Sequence, residues 1–150
     1  MNKKVLGFAS VILLVIGAFY LVQAQSTTQD ASSALPHLTS AQYARASADD
    51  VFVMLIGMET CRPCRMAEKL AFLPLAERYK NAQHVHVVKV DMSEAKMFNV
   101  TVSPTMLVIC GGETEPEWRW LDADGKDRGF ARGEEDEIIK QIAAVVDSLK

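Results

Sequence analysis

The sequence predicts an α/β domain with a mixed sheet of four to five strands flanked by helices. Short apolar runs rich in β-branched residues alternate with longer segments of helical spacing. Strands that are separated by helices become parallel neighbours in one sheet. The last two predicted strands are joined by the turn at 122–125 and are therefore antiparallel. The expected order is helix, strand, helix, strand, helix, strand, strand, helix.

The N-terminal segment is predicted to be an export signal. Two lysines precede an 18-residue apolar run, Val5–Val22, and a small residue, Ala24, offers a cleavage site. An uncleaved membrane anchor is the alternative, because roughly 17–25 apolar residues span a bilayer. In both cases we expect the rest of the chain to be periplasmic or otherwise extracytoplasmic.

Three regions follow from this reading: a signal or anchor at 1–24, a flexible linker at 25–38 and a folded domain at 39–150. The linker is rich in Ser, Thr, Gln and Ala and has no apolar period. The residues after Ala24 include all 19 acidic and 14 of the 16 basic residues, a net charge of −5. No basic patch favours nucleic acid as a partner, and we exclude that class.

The first half of the domain is predicted to contain a short helix, a buried strand and a long helix. Thr39 or Ser40 is expected to cap the short helix, and the strand is Val51–Ile56. The long helix runs from about Pro63 to Tyr79 and should be bent or divided at Pro74. Its core-facing stripe is predicted to consist of Met66, Leu70, Leu73 and Ala76 or Glu77.

The second half is predicted to alternate strands with short connections before it ends in a helix. Asp122–Gly125 is the turn of a hairpin, and four acidic residues suit the first turn of the last helix. The predicted elements are the strand 84–90, the helix 94–98, the strand 105–110, the strand 118–121, the strand 126–130 and the helix 134–149.

The motif Cys61-Arg62-Pro63-Cys64 lies where the first strand ends and the long helix begins. A helix start presents unpaired N–H groups and the positive end of the helix dipole. Both stabilise a thiolate, so the pKa of Cys61 is expected to fall below the roughly 8.5 of an ordinary thiol. Cys64 lies one turn on, where it can close a disulfide with Cys61 and act as the resolving cysteine.

Other roles for the cysteines remain open at this stage. The pair could be an inert structural disulfide or half of a zinc site, although zinc needs four ligands and the remaining Cys110 and three histidines lack ligand spacing. We therefore predict neither a metal nor a cofactor. Cys110 is expected to be a buried free thiol, and His84 and His86 are expected to be surface residues.

The chain resembles the thioredoxin-like superfamily over residues 39–150. The resemblance rests on the strand followed by CxxC, on Lys89-Val90-Asp91, on Val102-Ser103-Pro104-Thr105 and on a glycine before the terminal helix. It implies a cis Pro104 that faces the disulfide and a loop at Ser103, Pro104 and Thr105 that binds substrate by strand addition.

The motif departs from that of thioredoxins at three places. Thr60 stands where they have Trp, and Leu55 stands where they have the buried Asp that assists proton transfer from the second cysteine. Without that Asp, Glu59, water or the substrate must take the proton. Arg62-Pro63 replaces Gly-Pro, and a cation beside the thiolate should lower its pKa further.

The resemblance implies an exported thiol–disulfide oxidoreductase that reduces disulfides in extracytoplasmic proteins and is itself reduced by a membrane electron donor. The opposite direction, a disulfide oxidase or isomerase, is the closest alternative. A copper-site or cytochrome maturation role is another, since Met58 and Met66 lie near the motif. A third is a redox-inert adaptor that binds partners through the acidic loop 113–117 and the two tryptophans, Trp118 and Trp120.

Overall fold

A four-stranded mixed sheet forms the centre of residues 35–150, the part of the chain that the structure, a computed structural model, describes. The strands lie in the order β2-β1-β3-β4. β1 is parallel to β2 and antiparallel to β3, and β3 is antiparallel to β4. This is the predicted α/β class, and it is compatible with a thioredoxin-like fold. The strands are β1 Val51–Gly57, β2 Val85–Asp91, β3 Thr105–Cys110 and β4 Trp118–Arg119.

Helices cover the sheet and begin close to the predicted positions. Thr39 caps the first helix, since its side chain accepts the N–H of Gln42 while the Gln42 side chain accepts the N–H of Thr39. That helix ends at Tyr43, whereas the sequence predicts a helix that continues through about Ala46. The helical elements are α1 Ser40–Tyr43, α2 Arg62–Ala67, a π-helical turn Glu68–Phe72, α3 Leu73–Tyr79, a 3₁₀ helix Met92–Phe98 and α4 Glu135–Ser148.

The long helix is divided as the proline predicts, but its buried stripe is not the predicted one. α2 and α3 are joined by the π-helical turn, and Pro74 lies in the first turn of α3. The predicted Met66, Leu70 and Leu73 are only partly buried, at the margin of the core. Each predicted apolar residue is one position away from a fully buried one, and one residue turns an α-helix by about 100°. The most deeply buried residues on this helix are Cys64, Ala67, Ala71, Phe72 and Leu75.

β1 is the most deeply buried strand of the sheet. All seven of its residues are buried, as expected for a central strand with helices on both faces. Val51, Val53 and Leu55 belong to the core cluster that also contains α4 residues, while the alternate residues belong to the cluster on the other face. The motif Cys61-Arg62-Pro63-Cys64 therefore follows the most deeply buried strand of the sheet.

The segment after β3 corrects two predictions. The predicted strand 118–121 is reduced to Trp118–Arg119, and the expected hairpin strand 126–130 is reduced to a single bridge between Leu121 and Asp127. Two backbone bonds still join the two segments: the N–H of Asp122 donates to the carbonyl of Lys126, and the N–H of Arg128 donates to the carbonyl of Trp120. Arg119 adds a two-armed ion pair with Asp127 and donates to the carbonyls of Phe98 and Asn99. The sheet thus has four strands and not five.

The two tryptophans pack against the core. Their ring centroids are 6.0 Å apart, Trp120 is buried, and the Trp118 indole N–H donates to the Gln141 side chain of α4. The predicted signal or anchor at 1–24 and residues 25–34 of the predicted linker lie outside the described residues. Within the described part, no helix is long and apolar enough to cross a membrane.

Candidate functional site: a disulfide at the start of a helix

Cys61 and Cys64 form a disulfide at the N-terminus of α2. Their Cα atoms are 5.2 Å apart, within the usual range for a cystine. Cys61 has extended backbone angles and is the N-cap residue, and its sulfur accepts the backbone N–H of Cys64 at 3.2 Å. Pro63 lies in the first turn, where its missing N–H leaves no helical bond unmade. The helix start predicted from the sequence thus places one of its free N–H groups on the Cys61 sulfur.

The two sulfur-bearing residues differ in their access to solvent. Cys61 is partly exposed, whereas Cys64 is fully buried. A partner disulfide can therefore reach the first cysteine while the second lies behind it. The predicted roles, Cys61 as the attacking residue and Cys64 as the resolving one, would require such an asymmetry, and the roles themselves stay predictions.

Gly57, the last residue of β1, makes room for the buried cysteine. A Cβ atom at this position would lie 2.6 Å from the Cys64 sulfur and 3.3 Å from the Ser103 hydroxyl. Only a residue without a side chain fits here, for a reason of space and not of backbone angle. The strand predicted from the sequence ends at Ile56 and leaves Gly57 outside it, and a glycine that directly follows a buried strand was the available signal.

The loop before β3 meets the disulfide from the other side. The Ser103–Pro104 peptide bond is cis. The Ser103 hydroxyl lies 3.0 Å from the Cys64 sulfur and 3.7 Å from the Cys61 sulfur. Thr105 is fully buried, and its hydroxyl donates to the carbonyl of Val102 at 2.9 Å. The structure therefore brings Ser103 to both sulfurs, while Thr105 secures the loop.

Basic residues lie on the exposed side of α2. Arg62 is exposed, and so is Arg65, which donates to the carbonyl of Glu59 at 2.8 Å. That bond ties the loop before Cys61 to the first turns of the helix. The effect of Arg62 on the thiolate stays a prediction, as does the role of Glu59 as a proton acceptor.

The sequence did not predict the buried ion pair between Glu68 and Lys89. Leu55 lies beside Lys89 of β2, and both are fully or almost fully buried. Glu68 supplies the carboxylate: it is 5% exposed, and its Oε2 lies 3.1 Å from the Lys89 ammonium. Glu68 follows Cys64 by four residues, one helical turn. A glutamate in phase with Cys64 on a helix was the signal, but charged residues are usually solvent-exposed.

The other candidate residues lie away from the disulfide. His84 and His86 both face Asp50 at the start of β1, at 3.5 Å and 3.0 Å. Cys110 is a partly buried free thiol at the end of β3. Within residues 35–150, no group of three or more His, Cys, Asp or Glu side chains is placed to hold a metal ion.

Comparison with known proteins adds no relative: no family model matches the chain, and no curated protein matches it. The fold and the site define the class by themselves. The chain is an α/β protein whose helix-capping cysteine pair forms a disulfide, an arrangement compatible with redox activity.

Proposed function

We propose that the chain is an exported, thioredoxin-like thiol–disulfide oxidoreductase that reduces disulfides in extracytoplasmic proteins. One observation carries this proposal. Cys61 is partly exposed and its sulfur accepts a helix-terminal N–H, while Cys64, bonded to it, is fully buried. A donor that faces sulfur in the disulfide also faces the thiolate once the bond is reduced, and it favours the charged form. The Ser103 loop, whose hydroxyl contacts both sulfurs, and the mixed sheet support the same reading.

The reaction needs only the two cysteines and a partner cystine. The Cys61 thiolate attacks one sulfur of the partner disulfide, and the other partner sulfur leaves as a thiolate that takes a proton from water. Cys64, once deprotonated, attacks the Cys61 sulfur and displaces the second partner thiolate. Two electrons have then passed from the dithiol to the partner, and Cys61–Cys64 is oxidised.

The loop before Pro104 is suited to hold an extended partner segment. Among the described residues, no backbone–backbone hydrogen bond is made by Thr101, Val102 or Ser103. Val102 is 38% exposed, and Ser103 touches both sulfurs. A partner strand added here would place its own cystine beside Cys61. We assign substrate binding to Ser103, Pro104 and the backbone around Thr105.

The proposed location and electron donor follow from the sequence. The N-terminal lysines and apolar run favour export, either as a cleaved signal or as an anchor in the inner membrane. An oxidising compartment would leave Cys61–Cys64 oxidised, so a reductase needs a membrane protein that supplies thiol electrons. We propose such a donor as the second partner.

Trapping tests the proposal. Full-length Cys64→Ala expressed in its native compartment should accumulate mixed disulfides through Cys61, because the resolving thiol is gone. The matched control is Cys61→Ala/Cys64→Ala, which should trap nothing. Mass spectrometry of the adducts would identify exported, cystine-bearing proteins. If both variants give the same adducts, Cys61 is not the nucleophile and the proposal fails.

The redox potential decides the direction. A potential close to the roughly −270 mV of thioredoxin supports the role of a reductase. A potential close to the roughly −120 mV of the strong bacterial oxidant would instead make the protein an oxidase. Equilibration of the full-length protein with glutathione buffers, followed by thiol counting, gives this number. Arg62→Gly removes a cation beside the Cys61 thiolate. We therefore expect this variant to have a lower, more reducing potential than the unmodified protein.

A further inference from the structure

A basic groove begins at Arg62, next to Cys61, and runs along α2 and the π-helical turn that follows it. Its volume is about 420 Å³. Residues 62, 65, 66, 69 and 70 recur at helical spacing and so share one face, and Arg132 closes the groove from the segment before α4. We call this the basic groove; its described lining residues are Arg62, Arg65, Met66, Lys69, Leu70 and Arg132.

The groove combines apolar and cationic surface. Met66 and Leu70 pack against the core cluster and remain partly exposed, which gives the groove an apolar floor. Four cationic side chains surround that floor, and none of the described lining residues carries a carboxylate. The whole chain has a net charge of −3, so this concentration of positive charge is local. An acidic partner is attracted at this face and repelled by the rest of the surface.

We propose that the basic groove docks the segment of a partner protein that flanks its cystine, and that this segment carries acidic residues next to an apolar side chain. The inference rests on the proposed function, since Arg62 directly follows the attacking Cys61. A segment seated in the groove places its neighbouring cystine at Cys61. The apolar side chain would contact Met66 and Leu70, and the carboxylates would face Lys69, Arg65 and Arg132.

The test compares two synthetic peptides with the same intramolecular cystine and the same adjacent leucine. One carries Asp-Glu beside the leucine and the other carries Lys-Lys. Reduction by the full-length protein is followed with dithiothreitol as the source of electrons. Neutral hydroxyethyl disulfide, which is too small to span the groove, measures the dithiol chemistry alone. We expect kcat/KM for the acidic peptide to exceed that for the basic peptide at least about fivefold at low salt.

Two further measurements attribute the preference to the groove. Lys69→Glu/Arg132→Glu should bring the ratio of the two kcat/KM values to one or below. Lys140→Glu, an exposed residue of α4 outside the groove, should leave the ratio unchanged. Salt should also lower the ratio in the unmodified protein, since the Debye length is only about 3 Å at 1 M.

The outcomes separate this inference from the proposed function. Reduction of hydroxyethyl disulfide with no preference for the acidic peptide overturns the docking inference alone. So does a preference that survives Lys69→Glu/Arg132→Glu, or one that Lys140→Glu removes equally. A protein that reduces none of the three disulfides overturns the proposed function, and the docking inference with it.

Discussion

The two ends of the central sheet place cysteine in opposite chemical surroundings. β1 and β3 are antiparallel, with Thr105 beside Ile56 and Cys110 beside Val51. Cys61 and Cys64 follow the first end, which we call the disulfide end, and Cys110 lies at the other, the Cys110 end. Cysteine thus occurs at both ends of the same pair of strands.

At the disulfide end, the Cys61 sulfur faces a hydrogen-bond donor, and at the Cys110 end the thiol feels the negative charge of nearby carboxylates. The Cys61 sulfur accepts the N–H of Cys64. Burial raises the pKa of the Cys110 thiol, and the carboxylates of Glu117 and Glu113 raise it further. Nearby Tyr43 responds in the same way: burial first, then the charges of Cys110 and Glu113, raises its pKa to about 12. Because dipoles and charges near a sulfur set how easily its thiol ionises, we expect the cysteines at the two ends to differ in reactivity.

The largest expected effect is the loss of turnover when the nucleophile is removed. Cys61→Ser should lower disulfide reduction by at least about 100-fold, because a hydroxyl is not ionised at neutral pH. Cys110→Ser is the matched control and should stay within about twofold of the unmodified protein. Peptide-disulfide reduction by the full-length variants measures both. Equal losses in the two variants would erase the distinction between the two ends.

Next in size is the effect of the buried ion pair at the disulfide end. Glu68→Leu should lower the free energy of unfolding by about 3–5 kcal/mol, because it leaves the Lys89 ammonium buried without its partner. Glu68→Leu/Lys89→Met should recover most of that loss, since apolar replacements of a buried pair are often neutral. Urea unfolding gives both values. A double variant as unstable as the single one would contradict this account.

Crowding at Gly57 should have a smaller effect. Gly57→Ala is expected to cost about 1–3 kcal/mol, because the new Cβ would overlap the Cys64 sulfur. Gly129→Ala is the control, as its Cβ would meet nothing within 4 Å. That variant should be neutral or slightly more stable. Urea unfolding of the two oxidised variants measures the difference in their free energies of unfolding. Equal values would show that the end of β1 shifts enough to accommodate the new Cβ at position 57.

The two ends should also differ in alkylation rate. In the reduced protein near pH 7, Cys61 should react with iodoacetamide at least about tenfold faster than Cys110, because only its thiolate is stabilised. Peptide mapping by mass spectrometry gives the two rates from one sample. A Cys61 no faster than Cys110, or than free cysteine, would remove the proposed nucleophile.

The smallest expected effect is a pH-dependent contribution from Asp50 at the Cys110 end. The hydrogen bond from His86 lowers the pKa of the Asp50 carboxyl in the folded state, so its contribution is present above the unfolded value of about 4 and is lost as the pH falls through the folded one. Asp50→Asn should therefore cost less than about 1 kcal/mol at pH 5 and still less at pH 2.5.

Urea midpoints at the two pH values measure this difference. Asp49→Asn is the control, since it removes a neighbouring exposed carboxylate. A cost of Asp50→Asn that grows on acidification would mean that the sign is wrong.

Local patterns predicted the positions of most elements. The β-branched run at Val51 and the run at Thr105 each became a strand, because such side chains suit a buried pleated surface. Thr39 or Ser40 predicted a capped helix, and Thr39 is the residue that caps it; Pro74 predicted an interrupted helix. The prediction failed where contacts between distant residues decide the outcome. These places are the buried stripe of the long helix and the segment after β4, where two backbone bonds and the Arg119 ion pair join the chain without a full strand.

For the candidate site, the sequence by itself determined that two cysteines lie one turn apart at the end of a strand and the start of a helix. Strand and helix propensities act over a few neighbouring residues, so a local pattern is enough to specify that position. Only the tertiary structure decided that Ser103 meets both sulfurs, that Gly57 makes room for Cys64, and that Glu68 pairs with Lys89. These contacts join residues from different elements that are far apart in the sequence. Local patterns do not specify such contacts, because they form only when the elements pack together.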